Sequence, residues 1–264
     1  MSMKDFIIGD IGNTITKICL VEKKNYKIKK IIYLNSKKIY SNKNLILVFK
    51  KIIKINRINK LALFSSVVPK YQSLLKSFLK KKYQITLKEI KDKKIKKIIK
   101  IDIKNKKQVG SDRIANAVGA YKIYKTNSIV LDFGTATTFD VIYQHGVYKG
   151  GVIAPGINLS MKSLSTSADQ IPSFLVKKQK SVVGKNTIEA LRSGFYWGYL
   201  GLINSIILNI ERETKKKYKI IFTGGYANLF KTSIIRPFKI DRNITIKGII
   251  EIFKENKKKL YKNE

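Results

Sequence analysis

The chain has 264 residues, 44% of them hydrophobic, and a net charge of +38 from 55 Lys and Arg against 17 Asp and Glu. That length fits one large domain or two small ones, and the apolar share is enough for a packed core. The absence of any run of about 18 apolar residues excludes an expected membrane span, and a lone Cys19 and a lone His145 exclude a disulfide framework, a cysteine zinc site and a His-rich metal site. The start, MSMKDFIIGD, lacks the basic, apolar and small-residue order of a signal peptide, so a soluble cytoplasmic protein with no membrane partner is expected. The charge has two readings: a polyanion-binding surface, or lysines spread over solvated faces. The clusters KKNYKIKK, KKKYQITLKEIKDKKIKKIIK, ETKKKYK and KENKKKLYK fall in predicted hairpins, helix backs and the tail, while Ile129 to Val176 holds only Lys149 and Lys162. That layout favours the second reading, with weak non-specific nucleic-acid binding as a by-product. Abundant Lys, Ile, Asn and Tyr beside four prolines also fit an AT-rich coding bias.

Taken in chain order, Asp5–Ile11, Thr14–Val21 and Tyr26–Tyr33 predict a strand meander with short turns. Asn44–Ile55 has helical periodicity and a polar start. Leu61–Val68 is a β-rich run stopped by Pro69, and Tyr71–Leu79 a second helix. Lys88–Lys107 is a Lys/Ile segment of low complexity, assigned to an edge strand and loop. A helix starts near Ser111 and runs through DRIANAVGAYKIY. Then the pattern restarts: SIVLDFGTATTFDVIY is strand, small polar turn, strand. A strand near Gly151–Ala154, helices over Asn158–Leu164 and Thr187–Glu213, a strand over Lys219–Thr223 leading into GGYANLF, and a terminal helix over Lys247–Asn256 complete the reading.

The restart aligns DIGNTITK with DFGTATTF: Asp10 with Asp132, Gly12 with Gly134, Asn13 with Thr135, Thr16 with Thr138. Two such turns in equivalent places suggest a duplicated domain, with the boundary near Ala120–Asn127. Glycine lets backbone N–H groups approach phosphate oxygens, and Asn and Thr add donors. A carboxylate beside such a turn repels bare phosphate, so it points to a cation between them. Asp10 with Gly12, Asn13 and Thr14, and Asp132 with Gly134 and Thr135, therefore read as a clamp on nucleotide phosphates, with Lys17 neutralising charge. The alternative is two ordinary hairpins with Asx turns. There is no P-loop, GxGxxG or GxSxG motif, and Cys19 on an alternating strand reads as a small core residue. In GSDRIANAVGA, Ser111 and Asp112 read either as helix capping or, for Asp112, as a general base for phosphoryl transfer, with the helix N-terminus suiting an anionic substrate. FTGGYANLF reads equally as a platform for a flat ring or as a simple strand–helix turn.

DIGNTITK, GSDRIANAVGA, LDFGTATTFDVI, GGVIAPGINLSMKSLSTSADQIP, GKNTIEALRSGFYWG and FTGGYANL, in that order from Asp10 to Leu229, resemble the type III pantothenate kinases. The first, third and last motifs belong to the wider superfamily of acetate and sugar kinases, actin and heat-shock ATPases; the GSDR and GG-I-PG segments are more specific. The resemblance implies an α/β fold of two duplicated ribonuclease-H-like domains, with mixed sheets flanked by helices and the nucleotide cleft between them, here expected as residues 1–120 and 121–264. It implies a homodimer that phosphorylates pantothenate with ATP, the first step of coenzyme A biosynthesis. ATP would sit on Asp10, Ile11, Gly12, Asn13, Thr14, Ile15, Thr16, Lys17 and Thr135, with Mg2+ or another divalent cation anchored through water at Asp10. Pantothenate would sit on Gly110, Ser111, Asp112, Arg113 and Thr187, with Asp112 as proton acceptor, and K+ or NH4+ at Asp132. One departure stands out: similar proteins often carry Tyr and Pro where this chain has Ile103 and Lys106. A lost Tyr hydroxyl contact costs about 0.5–1.5 kcal/mol, too little to abolish binding. Lys104, Lys106 and Lys107 could instead attract the pantothenate carboxylate. Competing functions are a catalytically weak nucleotide-binding regulator of the same fold with polyanion affinity, and another small-molecule kinase of the superfamily.

Overall fold

The computed structural model describes residues 4–53, 58–168, 170–234 and 236–261. The chain forms two compact units, Met1–Ile123 with Asn243–Glu264, and Tyr124–Arg242. The sequence expectation put the boundary three residues earlier and kept the C-terminal helix in the second half. The C-terminal residues instead cluster with the first unit, because their apolar side chains pack there: Phe253 stacks on Phe6 at a centroid distance of 4.0 Å.

In the first unit, β1 (Asp5–Ile11), β2 (Ile15–Val21) and β3 (Ile28–Asn35) form an antiparallel meander. A 3-10 turn (Ser36–Tyr40) and α1 (Asn42–Lys50) follow, then β4 (Ile58–Ser66), α2 (Pro69–Tyr83) and β5 (Thr86–Glu89). The sheet order is β3-β2-β1-β4-β5, with β4 parallel to β1 and β5 parallel to β4. β1 is buried on both faces, as a central strand must be. Ile7 and Ile11 join Phe49, Leu75 and Phe78 on one side, while Phe6 meets Phe253 on the other. Third-strand residues start two positions later than expected, because Tyr26 takes a left-handed φ of 59° and closes the preceding loop on Glu22. α1 is capped by the Ser41 hydroxyl and ends at Lys50; the expected extension through Lys54 and Ile55 lies outside the described residues. Pro69 at the first turn of α2 fits a residue that has no N–H to lose there.

The Lys/Ile segment is ordered by its isoleucines. Ile90, Ile95 and Ile99 are buried, and the Asn256 side chain accepts the Lys96 N–H and donates to the Lys96 carbonyl. The segment ends with β6 (Lys100–Ile101), a 3-10 turn (Lys106–Gln108) and α3 (Ser111–Tyr124). α3 and α6 (Ile244–Tyr261) cross at small residues: a Cβ on Gly248 would lie 1.8 Å from the Ala115 carbonyl oxygen.

The second unit repeats the first. β7 (Ser128–Phe133), β8 (Ala136–Tyr143) and β9 (Val147–Pro155) form an antiparallel meander, followed by α4 (Ile157–Ser167) and α5 (Thr187–Thr214). β10 (Lys219–Gly224) and β11 (Phe238–Ile240) run parallel to β7, in the order β11-β10-β7-β8-β9. The strand-by-strand echo of β3-β2-β1-β4-β5 is the duplication that the paired turns suggested, as two mixed sheets flanked by helices. Its core joins Leu131, Phe133, Phe139, Tyr196, Ile203, Phe222 and Phe230. β11 was not foreseen, its three residues being too short for a readable period.

Candidate active site

The first turn closes with the Gly12 N–H donating to the Ile15 carbonyl at 3.2 Å. A Cβ at Gly12 would lie 2.8 Å from that same oxygen, so the turn needs glycine for space. Ser36, fully buried, locks the turn from below: its hydroxyl donates to the Gly12 carbonyl at 2.7 Å and shares a 2.9 Å bond with Thr16 Oγ1. The Ser36 N–H donates to the Thr14 carbonyl at 2.9 Å. With those carbonyls bonded inward, Asn13, Thr14 and Ile15 are left exposed at the end of the hairpin, as a phosphate-binding turn requires.

Asp10 precedes this turn on β1, opposite Lys17 on β2 and Ser65 on β4. Its carboxylate accepts the Ser65 hydroxyl. Cys19 lies deeper on the same face of β2 as Lys17, and burial pushes its thiol up to about 12. It is a core side chain and not a nucleophile, as expected.

The backbone of the next residue of β4 holds the start of α3. The Ser66 N–H donates to Ser111 Oγ at 2.9 Å, and that hydroxyl donates to the Ser66 carbonyl at 2.6 Å. Ser111 is thus the first residue of α3 and is spent on β4; it does not cap the helix as one sequence reading had it. The Ile114 N–H goes to the Gly110 carbonyl at 3.1 Å, and Asp112 Oδ1 accepts the Arg113 N–H at 2.8 Å. The carboxylate therefore sits at the positive end of a helix, oriented by a backbone donor. Gly110 leaves it room, since a Cβ there would lie 2.5 Å from Asp112 Oδ1. Burial pushes the nearby Glu89 carboxyl above its ordinary range, against the pull of the Lys91 N–H and the Ser111 hydroxyl.

In the second unit, the Gly134 N–H donates to the Ala136 carbonyl at 3.1 Å, making a turn one residue shorter than the first. Strand register then pairs Phe133 with Thr137 as Ile11 pairs with Thr16, and both threonines are buried. The sequence alignment of Thr16 with Thr138 was one residue off, because the shorter turn cannot be seen without the hydrogen bonds. Thr135 is exposed on the turn, which rests on Gly156: a Cβ there would lie 2.2 Å from the Thr135 carbonyl oxygen. Gly224, at φ 86°, passes against Phe133 and Asp132, and the Gly225 N–H donates to the Phe133 carbonyl at 3.1 Å. Residues after Gly225 form successive turns, not the expected helix: Leu229 bonds back to Tyr226, and Ser233 to Phe230. Three separate motifs, DFG, PG and TGG, thus converge on Asp132–Thr135. Thr187 is exposed as the first residue of α5, whose start is capped by Asn186 accepting the Glu189 N–H at 2.9 Å.

Among the described residues no group of three or more His, Cys, Asp or Glu could hold a metal ion. Asp10 and Asp132 each bring one carboxylate to a turn, which fits cations completed by water, backbone carbonyls and phosphate oxygens. Ile103 is half-buried in the loop ahead of Gly110, with Lys104, Lys106 and Lys107 exposed beside it. The sequence reading missed Ser36, Ser65, Ser66 and Gly156. Ser65 had a signal, a small polar residue ending the apolar strand LALFSSVVP; Ser66 acts through its backbone, which no side-chain type marks, and Ser36 had none, since its role comes from the fold that brings it under the turn.

Comparison with known proteins agrees with this fold. Solved structures share the fold: a conserved Baf family protein from Campylobacter jejuni (TM-score 0.61, 22% identity, covering 96% of this chain and 99% of that one) and MreB5 of Spiroplasma citri bound to ADP (0.54, 13%, all of both chains). The chain is 51% identical over 247 residues to the type III pantothenate kinase of Pelagibacter ubique, covering 92% of this chain and 96% of that one. It is 37% identical over 195 residues to that of Paramagnetospirillum magneticum, covering 74% and 75%. A family model described as type III pantothenate kinase matches residues 6–209, and the chain belongs to that family.

Proposed function

We propose that this chain transfers the γ-phosphoryl group of ATP to the primary hydroxyl of pantothenate, giving 4'-phosphopantothenate and ADP, the first step of coenzyme A biosynthesis. Its family membership supports the reaction. The structural observation that carries it is the pair of consecutive serines on β4. The Ser65 hydroxyl bonds Asp10 beside the first glycine turn, and the Ser66 backbone N–H and carbonyl bond Ser111 beside Asp112. One strand end thus touches both the carboxylate assigned to the nucleotide side and the residue next to the assigned proton acceptor, which supports the positioning that phosphoryl transfer needs.

In this reading the turn Asp10–Lys17, together with Thr135, holds the ATP phosphates. Gly110–Arg113 and Thr187 hold pantothenate. The bond from the pantothenate oxygen to the γ-phosphorus forms as the bridging oxygen leaves with ADP, and Asp112 accepts the hydroxyl proton. The Arg113 N–H on Asp112 Oδ1 fixes the direction of that carboxylate. A divalent cation, when bound, neutralises phosphate charge, and the single Asp10 carboxylate suits one that keeps most of its water. Asp132 is the proposed contact for a monovalent cation, K+ or NH4+, which would steady the Gly134–Thr135 turn. We also infer a cytoplasmic homodimer, which membership of the family supports.

ADP release, followed with and without pantothenate and with potassium exchanged for sodium, tests the reading. Release that requires pantothenate and falls in sodium is expected. Pantothenate-independent hydrolysis would favour a nucleotide-binding regulator.

A further inference from the structure

The segment that precedes Asp112 is gripped from a direction that neither the phosphate turns nor β4 account for. β5 runs parallel to β4, with Glu89 in register with Phe64, and the buried Ile90 donates its N–H to the Phe64 carbonyl at 2.9 Å. Glu89 Oε2 accepts the Lys91 N–H at 2.6 Å, and the Asp92 N–H closes a turn on the Glu89 carbonyl at 3.0 Å. The backbone of Lys91 is thereby pinned at the end of the strand. From that anchor its ammonium donates to two carbonyls across the loop, Val109 at 2.9 Å and Lys107 at 3.1 Å. These carbonyls flank Gln108, and that of Val109 directly precedes Gly110.

The geometry has a consequence for Gly110–Arg113. Its C-terminal side is fixed by the Ser66–Ser111 pair and by α3. Its N-terminal side is an exposed 3-10 turn, Lys106–Gln108, with no buried residue. Val109 is buried and the Gly110 carbonyl accepts the Ile114 N–H, but the glycine that joins the two sides leaves the 109–110 peptide plane short of a restraint from the loop side. The Lys91 bridge supplies that restraint, and an ammonium bonded to two carbonyls makes charge-assisted bonds stronger than neutral ones. Other lysines that bond to carbonyls, Lys30 to Lys51 and Lys60 to Tyr83, do so away from the candidate site residues.

We propose that Lys91 is a positioning residue for pantothenate phosphorylation, cross-linking the Lys107 and Val109 carbonyls so that Gly110–Arg113 keeps the conformation that receives pantothenate. It rests on the kinase reading above. Lys91→Met keeps the aliphatic stem and removes the donors; Lys91→Arg keeps donors for both carbonyls. In the full-length protein, Lys91→Met is expected to raise the KM for pantothenate roughly tenfold, the size of losing one well-made charged hydrogen bond, with the KM for ATP within about twofold. Lys91→Arg should restore most of the difference, and the urea midpoint of both variants should stay at the wild-type value. Without any substrate, amide exchange at residues 109–113 should quicken severalfold in Lys91→Met. An unchanged pantothenate KM, or equal rises in both KM values with a lowered urea midpoint, overturns the proposal. If the wild type shows no pantothenate-dependent ADP release, the kinase reading fails by itself, and the exchange measurement still decides whether Lys91 holds the segment: unchanged exchange overturns it.

Discussion

Replacing Ser36 by Ala would remove the hydroxyl on which the first glycine turn, proposed to hold the ATP phosphates, rests. Ser36 is fully buried, and its hydroxyl makes two bonds, to the Gly12 carbonyl at 2.7 Å and with Thr16 Oγ1 at 2.9 Å. Each such bond contributes about 0.5–1.5 kcal/mol net, so their loss costs about 1–3 kcal/mol. The upper half of that range is expected, because Thr16 is buried and its hydroxyl would have to find a new partner. The backbone bond from the Ser36 N–H to the Thr14 carbonyl survives, so the turn loosens and does not unfold. If about half of the cost falls on the conformation that holds phosphate, ATP binding weakens by roughly five- to tenfold. Urea unfolding measures the first quantity, and the KM for ATP in the ADP-release assay measures the second. The pantothenate KM should stay within about twofold, since Ser111 is held through Ser66 and not through Ser36. A variant that loses stability but keeps the wild-type ATP KM would refute the reasoning: Ser36 would be a core polar pair and the phosphates would rest elsewhere.

Gly156→Ala puts a Cβ 2.2 Å from the Thr135 carbonyl oxygen and 2.6 Å from that of Gly134, so the second turn must move; ATP affinity should fall at least tenfold in equilibrium binding, while Gly198→Ala, with open space at its Cβ, should not change it. Asn256→Ala removes the side chain that accepts the Lys96 N–H and donates to the Lys96 carbonyl, and should cost about 1–3 kcal/mol in urea unfolding with faster amide exchange across residues 91–99. Glu89 holds its proton more tightly in the folded chain than in the unfolded one, so the folded state loses stability as pH rises from the ordinary carboxyl range through the raised value. Glu89→Gln should remove that loss, so the stability difference between variant and wild type should grow in the variant's favour across that window; parallel stability–pH curves would contradict it.

The duplication was readable because two polar turns interrupt two apolar strands, and a period-2 pattern with a carboxylate at its end survives any lysine bias around it. The element cores followed from the same periodicity, with Pro69 read as the stop of the strand over Leu61–Val68. What escaped reading lies where the decisive bonds are long-range. Ser36 reaches Gly12 across 24 residues, Ser66 reaches Ser111 across 45, and Asn256 reaches Lys96 across 160. The Lys/Ile segment shows the limit in another form. Its composition gave no more than an edge strand and loop, but three spaced isoleucines and a distant asparagine order it, and one of its lysines differs from its neighbours only in what it touches.

Asp112→Asn tests the central claim most directly. The amide has similar shape and can still accept the Arg113 N–H, so α3 and the substrate segment should keep their form. It cannot accept the pantothenate proton. The account predicts ATP binding within about twofold of wild type and pantothenate-dependent turnover lower by about a hundred- to ten-thousand-fold. Turnover at the wild-type level in that variant would contradict it.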